Sequence, residues 1–166
     1  MQAPHLSLCL AVAATLAACA PPTRQPHVVA SKIVDAIKAD EVHWNLDWKN
    51  RNLDDIVGHY APNAVLLTPD EPPAVGAAAI RAAFAQALQD PAYAFSFASE
   101  RVTVAKSGDL AAARGTFSLT VTDPATKAPR TLSGTYVTTY APAPDGGWKA
   151  VWNIGTPGPT LPTSAK

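Results

Sequence analysis

The chain has 166 residues, with Lys plus Arg and Asp plus Glu at 13 each, a formal net charge of zero and a pI near 6.9. That length suffices for one domain with a true core and is tight for two. Nucleic-acid binding relies on a cationic footprint that releases phosphate counterions, and no Lys/Arg cluster supplies one, which argues against phosphate-rich partners.

Residues 1–18, MQAPHLSLCLAVAATLAA, contain no Asp, Glu, Lys or Arg. The apolar run from Leu8 to Ala18 is far shorter than the ~20 residues of a membrane-crossing helix. A short apolar stretch ending in small residues has the composition of a signal-peptide core. It closes on Leu16-Ala17-Ala18-Cys19, which resembles the lipobox of bacterial lipoproteins, although no Lys or Arg precedes the run. The resemblance implies that Cys9 leaves with the signal and that Cys19 is acylated. The mature chain would then carry no free thiol and no disulfide, excluding cysteine nucleophiles and zinc–cysteine sites. The implied partner is a membrane surface. Each buried CH₂ adds about 0.8 kcal/mol, so a two- or three-chain anchor is effectively permanent. Ala20 stands where some bacteria place an Asp that retains lipoproteins at the inner membrane, which favours the periplasmic face of the outer membrane.

Residues 19–27 hold three prolines and read as a stiff tether of about 25 Å in polyproline geometry. Residues 157–166, PGPTLPTSAK, are too rich in proline for a packed element and read as a loose tail. The domain is therefore placed at residues 28–156.

Ile33, Ile37, Trp44 and Trp48 recur at four, seven and four residues, one stripe of a first helix. Asn52 is placed to cap a second helix, with Asp54 and Asp55 in its first turn and Leu53, Ile56, Val57 and Tyr60 on its apolar face. Pro62 is expected to end it. AVLLT, Ala64 to Thr68, is a short apolar strand closed by Pro69, Pro72 and Pro73. Gly76 precedes a third helix predicted over Ala77 to Gln89, with Ile80, Phe84, Ala87 and Leu88 inward.

From Ala94 the period changes to two. Tyr93, Phe95 and Phe97 alternate, yet the apolar parity then moves to Val102 and Val104, which predicts a bulge near Ser99 to Arg101. In the next strand Ala111, Ala113, Gly115, Phe117, Leu119 and Val121 share one face, with Arg114 on the other. Leu132, Tyr136 and Tyr140 share a face of a third long strand, and Trp148, Ala150, Trp152 and Ile154 one of a fourth. Three helices followed by a meander of long strands is an α+β pattern, helices on one face of a mainly antiparallel sheet.

Three blocks carry a resemblance. YAPNAVLLTP, GAAAIRAAF and GTYVTTYAPAPDGGWKAVWNIG resemble, in order and spacing, the strand entry, third helix and closing hairpin of the nuclear-transport-factor-2-like superfamily. That superfamily includes ketosteroid isomerase and the SnoaL-like proteins, and the branch catalogued as domain of unknown function 4440 is the one these blocks look most like. The resemblance spans roughly residues 30–155. It implies a strongly curved sheet wrapped around three helices, a conical pocket, and homodimerisation through the sheet.

It does not imply a reaction. The isomerases carry a general-base Asp just before a proline after the first strand, and here that position resembles Thr68, a poor proton acceptor. A base would have to come from Asp70 or Glu71. Asn153 stands where many relatives carry Asp or His. Trp44, Trp48, Tyr60, Tyr136 and Trp152 are candidates for an aromatic pocket wall, with Asn153 beside them and Arg114 as a candidate for an anionic ligand. His43 with Asp47, and His59 with Asp55, lie one helical turn apart. Without a third ligand each reads as an ion pair, and no metal site is expected. No phosphate loop, dinucleotide glycine motif, HExxH or GxSxG element occurs, so no cofactor is expected. The reading is a lipid-anchored envelope protein whose cone holds a small apolar ligand or supports a protein partner. The alternative is a cofactor-independent isomerase, hydrolase or dehydratase using a pocket carboxylate.

Overall fold

The computed structural model describes residues 26–158, so the signal, the lipobox, most of the tether and most of the tail lie outside the described residues. Helix α1 runs Pro26–Asn50, α2 Leu53–Gly58 and α3 Ala77–Ala87. Six strands follow the order β2-β1-β6-β5-β4-β3 in one sheet: β1 Tyr60–Leu67, β2 Ala74–Val75, β3 Ala94–Val104, β4 Ala111–Thr122, β5 Pro129–Pro142 and β6 Trp148–Pro157. Only β1 against β6 is parallel. The first strand joins the last, the sheet stays open, and the helices pack on one side of it, α1 against β3 and α3 against β1.

The expected stripe of α1 is the buried one. Ile33, Ile37, Trp44 and Trp48 enter a core completed by Ile56, Ile80, Phe84 and Tyr140. Burial of such side chains contributes about 1.5–3 kcal/mol each and holds the helix against β3. Asn45 fastens the same contact. Its Nδ2 donates to the carbonyl oxygen of Phe97 and its Oδ1 accepts from the amide of Phe97, both at 2.9 Å.

α1 ends at Arg51, whose φ of 57° turns the chain through the left-handed region. Its guanidinium donates to the carbonyls of Leu88, the C-cap of α3, and of Asp90 and Tyr93 in the segment that leads to β3. Asn52 occupies the N-cap of α2, but its side chain bonds Asp55 and not a backbone amide. Tyr60 belongs to β1 and not to α2, because α2 stops at Gly58.

The parity change in β3 is a bulge: the register with β4 shifts between Ser99 and Arg101. A second bulge opposite the junction of Thr139 and Tyr140 was not anticipated. Thr139 pairs with Trp152 while Tyr140 pairs with Ala150, so Val151 is the extra residue and the faces exchange there. Ala150 and Asn153 consequently point inward, and Trp152 and Ile154 point outward. Gly134 lies beneath Phe117: a Cβ there would meet the Phe117 ring at 2.4 Å. Its missing side chain lets that ring lie across the sheet.

Candidate functional site

The curved inner face of β3 to β6 and the stripe of α1 leave an open-mouthed cavity of about 320 Å³ between them. Its walls are mostly rings: Trp44, Trp48, Phe84, Tyr93, Phe95, Phe97 and Phe117. Trp44 meets Tyr60 and Phe97 edge-on, with centroids 5.0 and 5.3 Å apart, and Trp48 meets Phe84 edge-on at 4.9 Å. Edge-to-face contacts of this kind add about 0.5–1.5 kcal/mol each beyond burial and fix the rings in place. The indole N–H groups of Trp44 and Trp48 have no hydrogen-bond partner and are covered by protein. Edge-on packing lets such an edge face a neighbouring ring's electron-rich surface.

Polar groups on the lining are few. Asn153 Nδ2 donates to Tyr60 Oη at 3.2 Å. Burial raises the ionisation constant of the Tyr60 phenol well above its ordinary value, so it stays a neutral hydroxyl. Tyr93 is pushed up to about 12 by burial. Thr68, Pro69 and Asp70 form the rim, and Asp70 adopts φ 62°, a left-handed conformation that Asp tolerates. Among the described residues no Lys, Arg or His lines the cavity, and Asp70 is its only acid.

Of the residues singled out in the sequence, Trp44, Trp48, Tyr60, Tyr136 and Asn153 meet on this lining, with Asp70 at the mouth. Glu71 is exposed and outside it. Trp152 is 49% exposed on the outer face, because the bulge at Val151 reverses its parity. Arg114 also faces outward, where it donates to Glu100 Oε2 at 2.7 Å with 61% of its side chain exposed. Neither reaches the cavity, so the anionic-ligand role considered for Arg114 has no geometric basis.

Sequence reasoning missed Glu41. It is 5% exposed, and its Oε1 accepts from Tyr140 Oη at 3.0 Å and from Tyr136 Oη at 3.4 Å. The Ser99 hydroxyl is a further partner of both Glu41 and Tyr136. Ser99 faces them because it continues the inward alternation of Phe95 and Phe97, and the register shifts only after it. Desolvation raises the Glu41 ionisation constant, and the three hydroxyl hydrogen bonds offset this only in part. Glu41 itself is not on the cavity lining; Tyr136 is, so the acid sits one residue behind the wall. A signal was available. Glu41 lies four residues after Ile37 and three before Trp44, in the gap of the apolar stripe.

His59 also differs from expectation. It is 8% exposed and stacks on Trp44 at 4.9 Å. Its Nδ1 meets Asp40 Oδ2 at 3.0 Å and its Nε2 meets Asp47 Oδ2 at 2.9 Å, not Asp55. Burial disfavours the imidazolium, but hydrogen bonds to Asp40 and Asp47 and their charges outweigh it, and the ionisation constant is raised. His43 is exposed, and its expected partner Asp47 is taken by His59. Among the described residues no group of three or more His, Cys, Asp or Glu could hold a metal ion, and no helix is long and apolar enough to cross a membrane.

A sequence profile of the SnoaL-like domain matches residues 42–151. No curated protein matches the chain. Solved structures do. A ketosteroid isomerase-like protein from Erwinia carotovora atroseptica is 18% identical, with a TM-score of 0.65 over 74% of this chain and 94% of that one. A nuclear transport factor 2-like superfamily protein from Salmonella enterica is 12% identical, with a TM-score of 0.66 over 82% and 98%. ActVI-ORFA from Streptomyces coelicolor is 15% identical, with a TM-score of 0.63 over 76% and 97%. Identities this low establish the shared fold.

Proposed function

The chain belongs to the SnoaL-like domain family, and from that premise we propose that it is a binding domain whose cavity takes a small, neutral, largely apolar molecule. The observation that carries this is the lining: an aromatic cleft of about 320 Å³ with two or three oriented polar groups and, among the described residues, no cation. Ligand sites have this character, apolar walls with sparse polar groups that fix orientation. A carboxylate ligand would lose its water beside Asp70 with no positive charge to receive it, so anions are disfavoured. Calorimetric titration of the full chain with acetylnaphthalene and with naphthoate tests this. Saturable binding of the ketone, with the carboxylate weaker by about tenfold or more, is the expected result, one such factor being 1.4 kcal/mol. No heat of binding for either would sink the reading.

Asp70 favours a second reading, proton transfer at the mouth of the cavity by a general base. It would appear as catalysed exchange of the acetyl protons of that ketone in deuterium oxide, lost in Asp70→Asn.

The cellular address belongs to the same proposal. The lipobox supports acylation of Cys19 and attachment to the bacterial envelope, within the branch of the family catalogued as domain of unknown function 4440. Palmitate incorporation that vanishes in Cys19→Ser is expected. The outer face of the sheet supports pairing with a second copy, since Val137, Trp152 and Ile154 are exposed there at 43%, 49% and 39%. Sedimentation should show a dimer that Trp152→Glu dissociates.

A further inference from the structure

We propose that Gly155 is the specificity-determining residue of the cavity: its missing side chain joins the buried end to the rim, so that the ligand is a rod-shaped molecule more than one ring long. The inference rests on the reading of the cavity as a binding site. It goes beyond that reading by naming the ligand's shape and the residue that admits it.

The cavity grades from covered to exposed along β6. At one end Tyr60, Tyr136 and Thr138 are buried, and Asn153 pairs with Thr138 and bonds Tyr60. At the other, Thr68, Pro69, Asp70 and Pro157 are exposed. Gly155 lies on the lining midway between Asn153 and Pro157. Those two residues are separated by about 13 Å of strand. A molecule reaching from the covered end to the rim along β6 passes over Gly155.

Glycine within a strand costs stability, because it gives up more backbone freedom on folding and packs nothing. Gly115, Gly134 and Gly155 are the strand glycines among the described residues, and packing accounts for the first two. A Cβ at Gly115 would collide with the Ala98 carbonyl, and one at Gly134 with the Phe117 ring and the Thr156 carbonyl. Gly155 differs. Its φ is not in the left-handed region, and its pairing with Tyr136 is in regular register. A Cβ there would meet a carbon of the Phe117 ring at 3.7 Å, which is ordinary van der Waals contact, and no other heavy atom within 4 Å beyond its chain neighbours. Neither backbone conformation nor packing requires this glycine. What its bare backbone preserves is room in the cavity. The Phe117 ring occupies the side-chain space of Gly134 and ends beside that of Gly155, so the passage is walled by a ring and by naked strand. That wall suits a flat rod.

The test uses the full chain with acetophenone and 4-acetylbiphenyl, which share a carbonyl and a first ring and differ by a second ring in line. Binding is followed by NMR at the indole N–H resonances of Trp44 and Trp48, both on the lining. The biphenyl ketone is expected to bind about tenfold or more tightly than acetophenone, since its second ring is buried along the passage. Gly155→Val should leave acetophenone within about twofold and bring the ratio to about threefold or less, because the new side chain fills the space the second ring needs. Gly155→Ala should fold as stably as the natural protein and give an intermediate ratio. Equal affinity of the two ketones for the natural protein overturns the inference and leaves the binding reading standing. A ratio unmoved by Gly155→Val, including the case in which both ketones weaken alike, overturns it as well. So does a marked drop in the melting temperature of Gly155→Ala, which would show that the fold itself needs the glycine. If neither ketone binds, the binding reading falls and the inference falls with it. Should Gly155→Val fail to fold, the ratio in Gly155→Ala decides.

Discussion

Asp40 and Glu41 are chain neighbours on one helix, and the fold treats their carboxyl groups in opposite ways. Asp40 turns to the side where His59 lies, and with Asp47 two turns on it brackets a buried imidazole that stacks on Trp44. Glu41 turns toward the sheet and meets only hydroxyl groups. The first region sets an imidazole, favoured in its protonated form, between two carboxyl groups. The second leaves an acid without a counter-ion, and the protein answers by shifting it toward its neutral form. An imidazole bracketed in this way is a clamp. A buried acid with no cationic partner among the described residues costs stability.

The largest expected effect breaks the clamp. His59→Leu leaves Asp40 and Asp47 facing each other across an apolar side chain and should cost about 3 kcal/mol, read from the denaturant midpoint at neutral pH. Adding Asp40→Asn and Asp47→Asn to that variant should recover part of the loss. Next comes Tyr140→Phe, which removes the shorter of the two phenol bonds to Glu41. A loss of about 2 kcal/mol at neutral pH is expected, because a buried acceptor is left short of a donor.

Titration separates the regions by window. The His59 ionisation constant is raised from 6.5, so its contribution is complete below that value and is lost as pH rises through the folded-state constant. The Glu41 constant is raised from 4.5, so the folded state holds a proton that the unfolded chain has released. Stability therefore also falls with rising pH at Glu41, beginning near 4.5, the value of the unfolded group. Melting temperature followed from pH 4 to 9 should decline in both windows. Glu41→Gln should flatten the acidic one, and His59→Leu should flatten the one above 6.5. The smallest effect lies outside both regions. Arg114→Ala breaks an exposed ion pair and should change stability by no more than about 0.5 kcal/mol.

Much of the frame was readable in advance. Spacing alone placed Ile33, Ile37, Trp44 and Trp48 on the buried face of α1, and the parity change at Ser99 marked a true bulge. These features follow from local periodicity. What failed depends on distant chain. The bulge at Val151 is invisible in a strand that alternates without a break, and it moved Trp152 out and Asn153 in. His59 found its partners twelve and nineteen residues upstream, not one turn away. Glu41 lies in the seven-residue gap between Ile37 and Trp44, and nothing local shows that hydroxyl groups from β3 and β5 will cover it. The parallel pairing of β1 with β6 leaves no local trace at all.

The small bridge from Asn45 to Phe97 has a reach larger than its two hydrogen bonds. The strand it grips forms one border of the sheet, and the opposite border is a ribbon two residues long. A stranger seeking to lengthen the sheet finds a plug midway along one side and almost nothing to grip on the other. Both borders thus offer few free backbone groups to an added strand, and on the longer one a single amide side chain occupies the donor and the acceptor of Phe97.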